Sequence, residues 1–528
     1  MIRIRELELP LQYTEQDVRR AAAQKLHINA KEIASVSLYK RAVDARHKNA
    51  VCFRLTVDIT LHHPDIRIAS HPTIAPAPSQ SYRPFCGKKP LEKRPIVIGT
   101  GPAGLFAALV LAKAGARPLV LERGCAVEQR QEDVAAFRKG GKLNTASNTL
   151  FGEGGAGTFS DGKLNSGIKD PRCRFVLEQF VKAGAPEEIL WQGKPHIGTD
   201  KLIGTVRGLR QEIVRLGGEV LFSHRVTDLL CQDGAVQAVV VETPEGVKEM
   251  AASNVILAIG HSARDTMQML FDVGVQMQQK PFAVGVRIEH PRTFIDTARY
   301  GAFAGHPALG AADYKLNCTP AGHRGVYTFC MCPGGVVMAG TSEEGGVAVN
   351  GMSEYARDAE NSNSALLVGV SGADFESEHP LAGIELQRRM ERAAFALGGG
   401  DYKAPVQLVG DFLKQTPSRT LGDVRPSYLP GCTLTDLSPC LPDAVAASLR
   451  AAIPMLGRQL PGFDRADAVL TGVETRSSSP VRMPRDEAGQ CNIRGIYPCG
   501  EGAGYAGGIL SAAVDGVRCA EWLLQNNQ

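Results

Sequence analysis

The sequence predicts an α/β protein in which a parallel-sheet domain is interrupted by an inserted mixed-sheet domain and preceded by a small α+β unit. Three observations predict it. Residues 95–124 read as strand, glycine-rich turn, helix, short loop and second strand. Residues 254–262 and 495–509 each bring a further short apolar strand into a glycine turn. Between those two segments, residues 271–471 carry Gly-punctuated apolar runs long enough to build a sheet of their own.

A chain of 528 residues holds two to four domains and a large core. Its composition is that of a globular protein, 44% hydrophobic and 22% charged, with a modest excess of glycine at 57 residues. A net charge of +4 does not mark the whole molecule as a polyanion binder. The first ten residues, MIRIRELELP, interleave charges with apolar residues and lack a signal-peptide core. The 13 cysteines follow no paired spacing, so reduced thiols and a cytoplasmic location are expected. Residues 95–112 are uncharged, but their glycines and prolines make a poor membrane span, and no membrane association is expected.

Residues 1–70 are expected to form the small α+β unit, in the β-α-β-β order of half a ferredoxin-like fold. Residues 2–9 alternate as a strand. Thr14 and Asp17 form a capping box ahead of a helix reaching about Leu26, and alternation resumes around Val36–Leu38 and across 51–59. The segment 40–48 reads as a basic turn. Residues 1–94 carry 17 Lys+Arg against 9 Asp+Glu. Such a surplus suits a nucleic-acid surface, but no aromatic platform interleaves it, and a solvated face, or one docked on the chain's own acidic domain, is the favoured reading. The Pro-rich, then basic residues 71–94 read as a linker.

The parallel-sheet domain is expected at 95–270. Gly99, Gly101 and Gly104 have G-x-G-x-x-G spacing between the strand 96–98 and a helix from 103 to about 114. The first glycine permits a tight turn, the second a close approach to a pyrophosphate, and the third close helix–strand packing. The helix N-terminus then faces the phosphates, and Glu122, closing the second strand, sits where a ribose-binding carboxylate belongs. Five glycines at 152–162 suggest a backbone cradle through Gly155, Gly157 and Thr158, fixed by burial of Phe151, Phe159 and Leu164. An amphipathic helix at 200–216, strands within 220–241 and the strand at 254–262, ending in Ala258-Ile259-Gly260, complete this part. That order is how FAD-type Rossmann domains return to their sheet.

The insertion, 271–471, is expected to supply a mixed sheet with helices at 382–397 and 442–459, capping a substrate site. Residues 472–528 return to the first domain. There Gly500-Glu501 follows a short strand and places a carboxylate to accept from a ribityl or ribose hydroxyl. Gly507, Gly508 and Ile509 open a terminal helix whose dipole end faces a flavin. No second complete GxGxxG is present, so a separate NAD(P)H domain is not expected.

With these residues the chain resembles the FAD-binding superfamily of glutathione-reductase-type flavoproteins. More narrowly it resembles a family of uncharacterised bacterial FAD-dependent dehydrogenases with a small N-terminal domain. The motifs are VIGTGPAGLFAALVLAKAG (97–115), FGEGGAGTFSDGKLN (151–165), ILAIGHSARD (256–265), FCMCPGGVVMAGTSEEGG (329–346), VETRSSSPVRMPRD (473–486) and YPCGEGAGYAGGI (497–509). The resemblance implies FAD held through Gly99, Gly101, Gly104, Glu122 and Glu501, and supplies no substrate. Gly-Glu at 500–501 replaces the commoner Gly-Asp.

The expected function is an FAD-dependent oxidoreductase acting on an anionic small molecule, with NAD(P)H as candidate electron donor. The alternative is a flavin-dependent RNA-modifying or RNA-binding protein that uses the basic N-terminal unit. Arg476 and Arg482 are candidates to hold the substrate or the flavin edge, against a structural role bonded to loop carbonyls. His261 is a candidate acid/base, against a capping role. Lys163 and Asp161 stand in the same position. Cys330-Met331-Cys332 is not C-x-x-C, and period two alone would put both sulfurs on one face, so buried structural thiols are expected. His and Cys show no ligand spacing, so no metal is expected.

Overall fold

The computed structural model describes residues 1–63, 65–66, 68, 71–77, 82–87 and 91–527. The N-terminal unit comprises β1 (Ile2–Leu9), α1 (Glu15–Leu26), β2 (Ile33–Asp44), β3 (Cys52–Leu61) and β4 (Ile74–Pro76). Its strands form an antiparallel sheet in the order β2-β3-β1-β4. Thr14 caps α1 with its hydroxyl accepting from the Asp17 N–H, while the Asp17 carboxylate accepts from the Thr14 N–H. Ile4, Val57 and Ile59 are fully buried beneath Leu26.

Two expectations change here. The basic segment 40–48 is not all turn: β2 runs to Asp44, because Arg41 and Val43 keep pairing with Leu55 and Phe53. The linker at 71–94 starts as a strand, since Ile74 pairs with Ile4 and Pro76, which has no N–H to give, is tolerated on a sheet edge. Residues 78–81 and 88–90 of that segment lie outside the described residues.

Next come β5 (Ile96–Ile98), α2 (Pro102–Lys113), β6 (Leu119–Leu121), α3 (Val127–Arg138), α4 (Arg172–Lys182), α5 (Thr199–Arg215) and β7 (Glu219–Leu221). An antiparallel meander of β8 (Arg225–Gln232), β9 (Ala235–Thr243) and β10 (Gly246–Ala251) leads to β11 (Val255–Leu257) and α6 (Arg264–Asp272). β5, β6 and β11 are buried at every residue, as apolar triplets covered on both faces should be.

The remaining elements are β12 (Gln278–Gln279), β13 (Phe282–Pro291), α7 (Arg292–Tyr300), β14 (Asn317–Cys318), β15 (Val326–Cys332), β16 (Val336–Ala339), β17 (Val349–Met352) and β18 (Asn361–Val370). They continue with α8 (Ala382–Gly398), β19 (Ala404–Leu408), α9 (Val409–Lys414), β20 (Cys432–Leu434), α10 (Asp443–Gln459), β21 (Val469–Glu474), β22 (Val481–Arg482), β23 (Ile496–Pro498) and α11 (Ile509–Asn526). A seven-stranded mixed sheet runs β14-β15-β18-β13-β21-β19-β20. β23 then rejoins the first sheet, whose order is β23-β11-β5-β6-β7 with every pair parallel. α11 packs on α2 at Gly516, where any Cβ would run into the Ala103 carbonyl.

Candidate active site

A cavity of about 380 Å³ lies between the two sheets, and glycine backbone forms part of its wall. β5 must turn sharply into α2; Gly99 does so at φ +99°, and Gly104 packs so closely that a Cβ there would collide with the Gly99 carbonyl. α2 begins at Gly101 with no side-chain cap, leaving its first N–H groups free for an anion. Gly101, Gly260, Gly507 and Gly508 all line the cavity, and a Cβ on any of them would enter open space. α11 also starts uncapped, at Gly508. Two open helix N-termini in a wall of bare backbone fit the pyrophosphate and the electron-rich ring edge of a flavin dinucleotide.

Glu122 lines the same cavity and is 5% exposed. Its carboxylate accepts from the Thr100 N–H (2.9 Å) and hydroxyl (2.6 Å) and from the Gly124 (2.9 Å) and Gly152 (3.1 Å) N–H groups. These donors tie the phosphate turn, the end of β6 and the glycine loop together at one residue.

Gly155, Gly157 and Ile509 line the cavity, and Phe151, Phe159 and Leu164 are buried. Sequence reasoning missed what holds this loop. Arg130 on α3, 0% exposed, donates to the carbonyls of Asn148 (2.8 Å), Gly152 (3.2 Å), Glu153 (2.6 Å) and Gly155 (2.9 Å), and its guanidinium lies over the Phe159 ring. A single arginine inside a helical pattern carries no signal for this role. Thr158 does not face the cavity; its hydroxyl turns inward to the Glu153 carbonyl. Gly104 and Gly500 act from behind the wall, Gly500 making room for the Ala103 side chain at φ +73°.

Chemistry-bearing side chains line the same cavity: Lys163, Cys330, Glu474, Glu501 and His261. Lys163 Nζ lies 3.1 Å from Asp161, 3.5 Å from Cys332 Sγ and 4.0 Å from Cys330 Sγ. Burial opposes its charge, but Asp161 and the two cysteines outweigh burial and raise the lysine above its ordinary value. Burial pushes Glu474 up to about 7 against the pull of Arg287, which donates to it at 2.7 Å. Burial likewise raises Glu501 to about 7, opposed by Lys280 and the Gly508 N–H. His261 is driven down to about 3 by burial and by Arg476, Arg264 and Lys280, so it is neutral, 4.0 Å from Glu501.

The arginine pair separates. Arg476 lines the cavity, but its Nε and Nη2 donate to Glu391 (3.0 and 2.8 Å) and its Nη1 to Ser342 (2.6 Å); the partner is a buried carboxylate on α8, not loop carbonyls. Arg264 and the Thr475 hydroxyl share that carboxylate. Arg482 is outside the cavity: Val481 takes the buried side of β22, leaving Arg482 exposed over the Tyr505 ring. The thiol expectation also changes. A bulge between Phe329 and Cys332, with Cys330 at φ +42°, breaks the period of two and turns Cys330 to the cavity. Among the described residues, Cys499, Asp515 and Cys519 cluster at metal-ligand distances, but Arg485 fills the cluster, donating to Asp515 at 3.0 Å and to Cys519 Sγ at 3.4 Å.

This cleft belongs to an FAD-dependent enzyme. Residues 93–284 match the family described as FAD binding domain, 281–477 that described as FAD-dependent protein, C-terminal domain-like, and 1–60 a domain of unknown function. The chain belongs to the same family as an uncharacterised protein of Clostridium beijerinckii, 47% identical over 536 residues spanning 99% of this chain and 98% of the relative. Similar solved structures include the flavin-dependent brominase Bmp2 (11% identity, 82% of this chain and 79% of that one, TM-score 0.38). Another is a geranylgeranyl bacteriochlorophyll reductase-like protein of Thermoplasma acidophilum (13% identity, 82% and 81%, TM-score 0.35). Among the described residues no helix is long and apolar enough to cross a membrane.

Proposed function

We propose that the protein is a two-electron oxidoreductase of the glutathione-reductase-type superfamily, taking electrons from NAD(P)H and acting on an anionic small molecule. The observation that carries the reading is one cavity lined both by the bare backbone of the phosphate turn and by titratable side chains. FAD supplies hydride and electron transfer when bound. Gly99, Gly101, Gly155, Gly157 and Gly260 would hold its phosphate side, with Glu122 fixing the loops. Gly507, Gly508 and Glu501 would hold its ring side. Glu474 and Glu501, both near neutral pKa, keep or release a proton at working pH, while neutral His261 accepts a hydrogen bond instead of donating as imidazolium.

An anionic substrate is supported by Lys163 and not by the arginines expected for it. Lys163 faces the cavity and shares Asp161 (3.1 Å) with Arg357 (2.9 Å), so its ammonium is not committed to a carboxylate of its own. Anaerobic stopped-flow reduction of the purified yellow protein with NADH, NADPH and a panel of carboxylate and phosphate metabolites tests the reading. Bleaching of the flavin by one of them is the expected outcome; a flavin that none reduces at useful rates would sink it.

A further inference from the structure

We infer that Cys330 and Cys332 form a redox-active dithiol that reduces a small-molecule disulfide, with Cys330 as the attacking and Cys332 as the resolving sulfur. This deepens the proposed function and rests on its flavin as the electron source.

Four observations converge on the pair. First, Cys330 lines the same cavity as the glycine cradle, while Cys332 is fully buried behind it. Second, a regular strand would hold residues two apart at about 6.6 Å between Cα atoms, the outer limit for a disulfide. The bulge and the left-handed backbone at Cys330 fold the strand so that one ammonium, that of Lys163, lies within 4.0 Å of both sulfurs, and the Cys332 thiol donates to the Cys330 carbonyl at 3.4 Å. A cysteine at φ +42° is a strained choice where glycine would be relaxed, so the side chain itself is the reason for it. Third, Lys163 reaches both sulfurs from the glycine loop, and Arg287 donates to the Cys330 carbonyl at 3.0 Å beneath them. Fourth, the hydrogen bond from Cys332, together with Lys163 and Arg287, holds the Cys330 thiol well below its ordinary value against the effects of burial and Asp161. Cys332 is pushed the other way by Cys330 and by burial.

The chemistry balances. The Cys330 thiolate attacks one sulfur of the substrate disulfide, forming a mixed disulfide and expelling one substrate thiolate beside Lys163. The Cys332 sulfur, losing its proton, then attacks Cys330 Sγ, forms the Cys330–Cys332 bond and expels the second substrate thiolate. The substrate gains two electrons and the pair loses two. Return to the dithiol takes two electrons from the enzyme's reduced FAD and two protons, for which Glu474 and Glu501 stand in the same cavity.

The test uses anaerobic, flavin-loaded protein with glutathione disulfide as the probe. The wild type should lose two alkylatable thiols together, with the peptide containing 330–332 recovered two hydrogens lighter. Cys332→Ser should keep one glutathione on Cys330, and Cys330→Ser should take up none at 332. Lys163→Met should react about tenfold more slowly at neutral pH. In reductive titration the oxidised wild type should consume one more two-electron equivalent per flavin than Cys332→Ser. If both thiols stay fully alkylatable after the probe while flavin absorbance is intact, the dithiol is overturned and the flavin reading stands. If the pair oxidises but the titration shows no extra equivalent, its coupling to flavin is overturned. Purified protein without flavin would instead overturn the proposed function, whatever the thiols do.

Discussion

Buried Arg130 and half-buried Glu501 show how single ionisable side chains set up this cleft. Arg130 spends its guanidinium on four carbonyls of the glycine loop. A lysine keeps the charge but not the fork, so at least two charge-assisted bonds are lost, at about 1.5–3 kcal/mol each. Arg130→Lys should therefore lower the melting temperature and purify with less flavin, read as the ratio of flavin to protein absorbance; full flavin content and unchanged melting would refute the role. Glu501 yields a pH prediction. Burial raises it from 4.5 to about 7, so between those values the folded flavin-free protein holds a proton that the unfolded chain has released. Its contribution to stability is complete below about 4.5 and is lost as pH rises through 7. Denaturant unfolding of the apoprotein should show the wild type losing on the order of 1–2 kcal/mol relative to Glu501→Gln between pH ~5 and ~8. Parallel pH profiles for the two proteins would count against it.

At the scale of elements, the phosphate turn is legible in the sequence because its physics is local. A buried triplet, a glycine that must turn at positive φ and a helix with glycine at its N-cap and third residue are all written within ten residues of one another. Gly104 makes this testable. Gly104→Ala drives a methyl into the Gly99 carbonyl and the Ala258 side chain, so α2 must move off β5. The cost should be about 1–3 kcal/mol with most flavin binding lost, measured by thermal melting and by FAD titration; Gly101→Ala, whose methyl enters the cavity, should lose flavin with little change in melting. The β15 bulge is not legible, because VYTFCMC alternates acceptably and the extra residue appears only against its partner β18. For the same reason the thiols read as structural. Arg476 and Arg482 misled in another way: adjacency in sequence to the last flavin segment says nothing of Glu391, eighty-five residues away in the chain, which claims the first of them.

At the scale of the molecule, the basic N-terminal unit is held against the flavin-binding part by its own basic strand. The Arg41 N–H donates to the Trp191 carbonyl and the Gly193 N–H to the Arg41 carbonyl, both at 2.7 Å, and the guanidinium lies between the Trp191 and Phe53 rings at 4.5 and 4.9 Å. Gly193 has no room for a Cβ against Arg41 and Ala42, so the contact is close-packed. Arg3, Arg46 and Arg54 are each paired with an acid of the same unit. Those acids are already counted in the unit's net charge; the basic residue given to the contact is Arg41, which supports docking over an RNA surface on this strand. Arg41→Ala removes both ring contacts and leaves the two backbone bonds, at a cost of about 0.5–2 kcal/mol. It should shift Trp191 emission to the red and speed proteolysis between residues 62 and 94, with flavin content unchanged. If instead the variant keeps its emission and protease resistance but loses a steeply salt-dependent affinity for RNA, the basic strand is a nucleic-acid surface and the docking account fails.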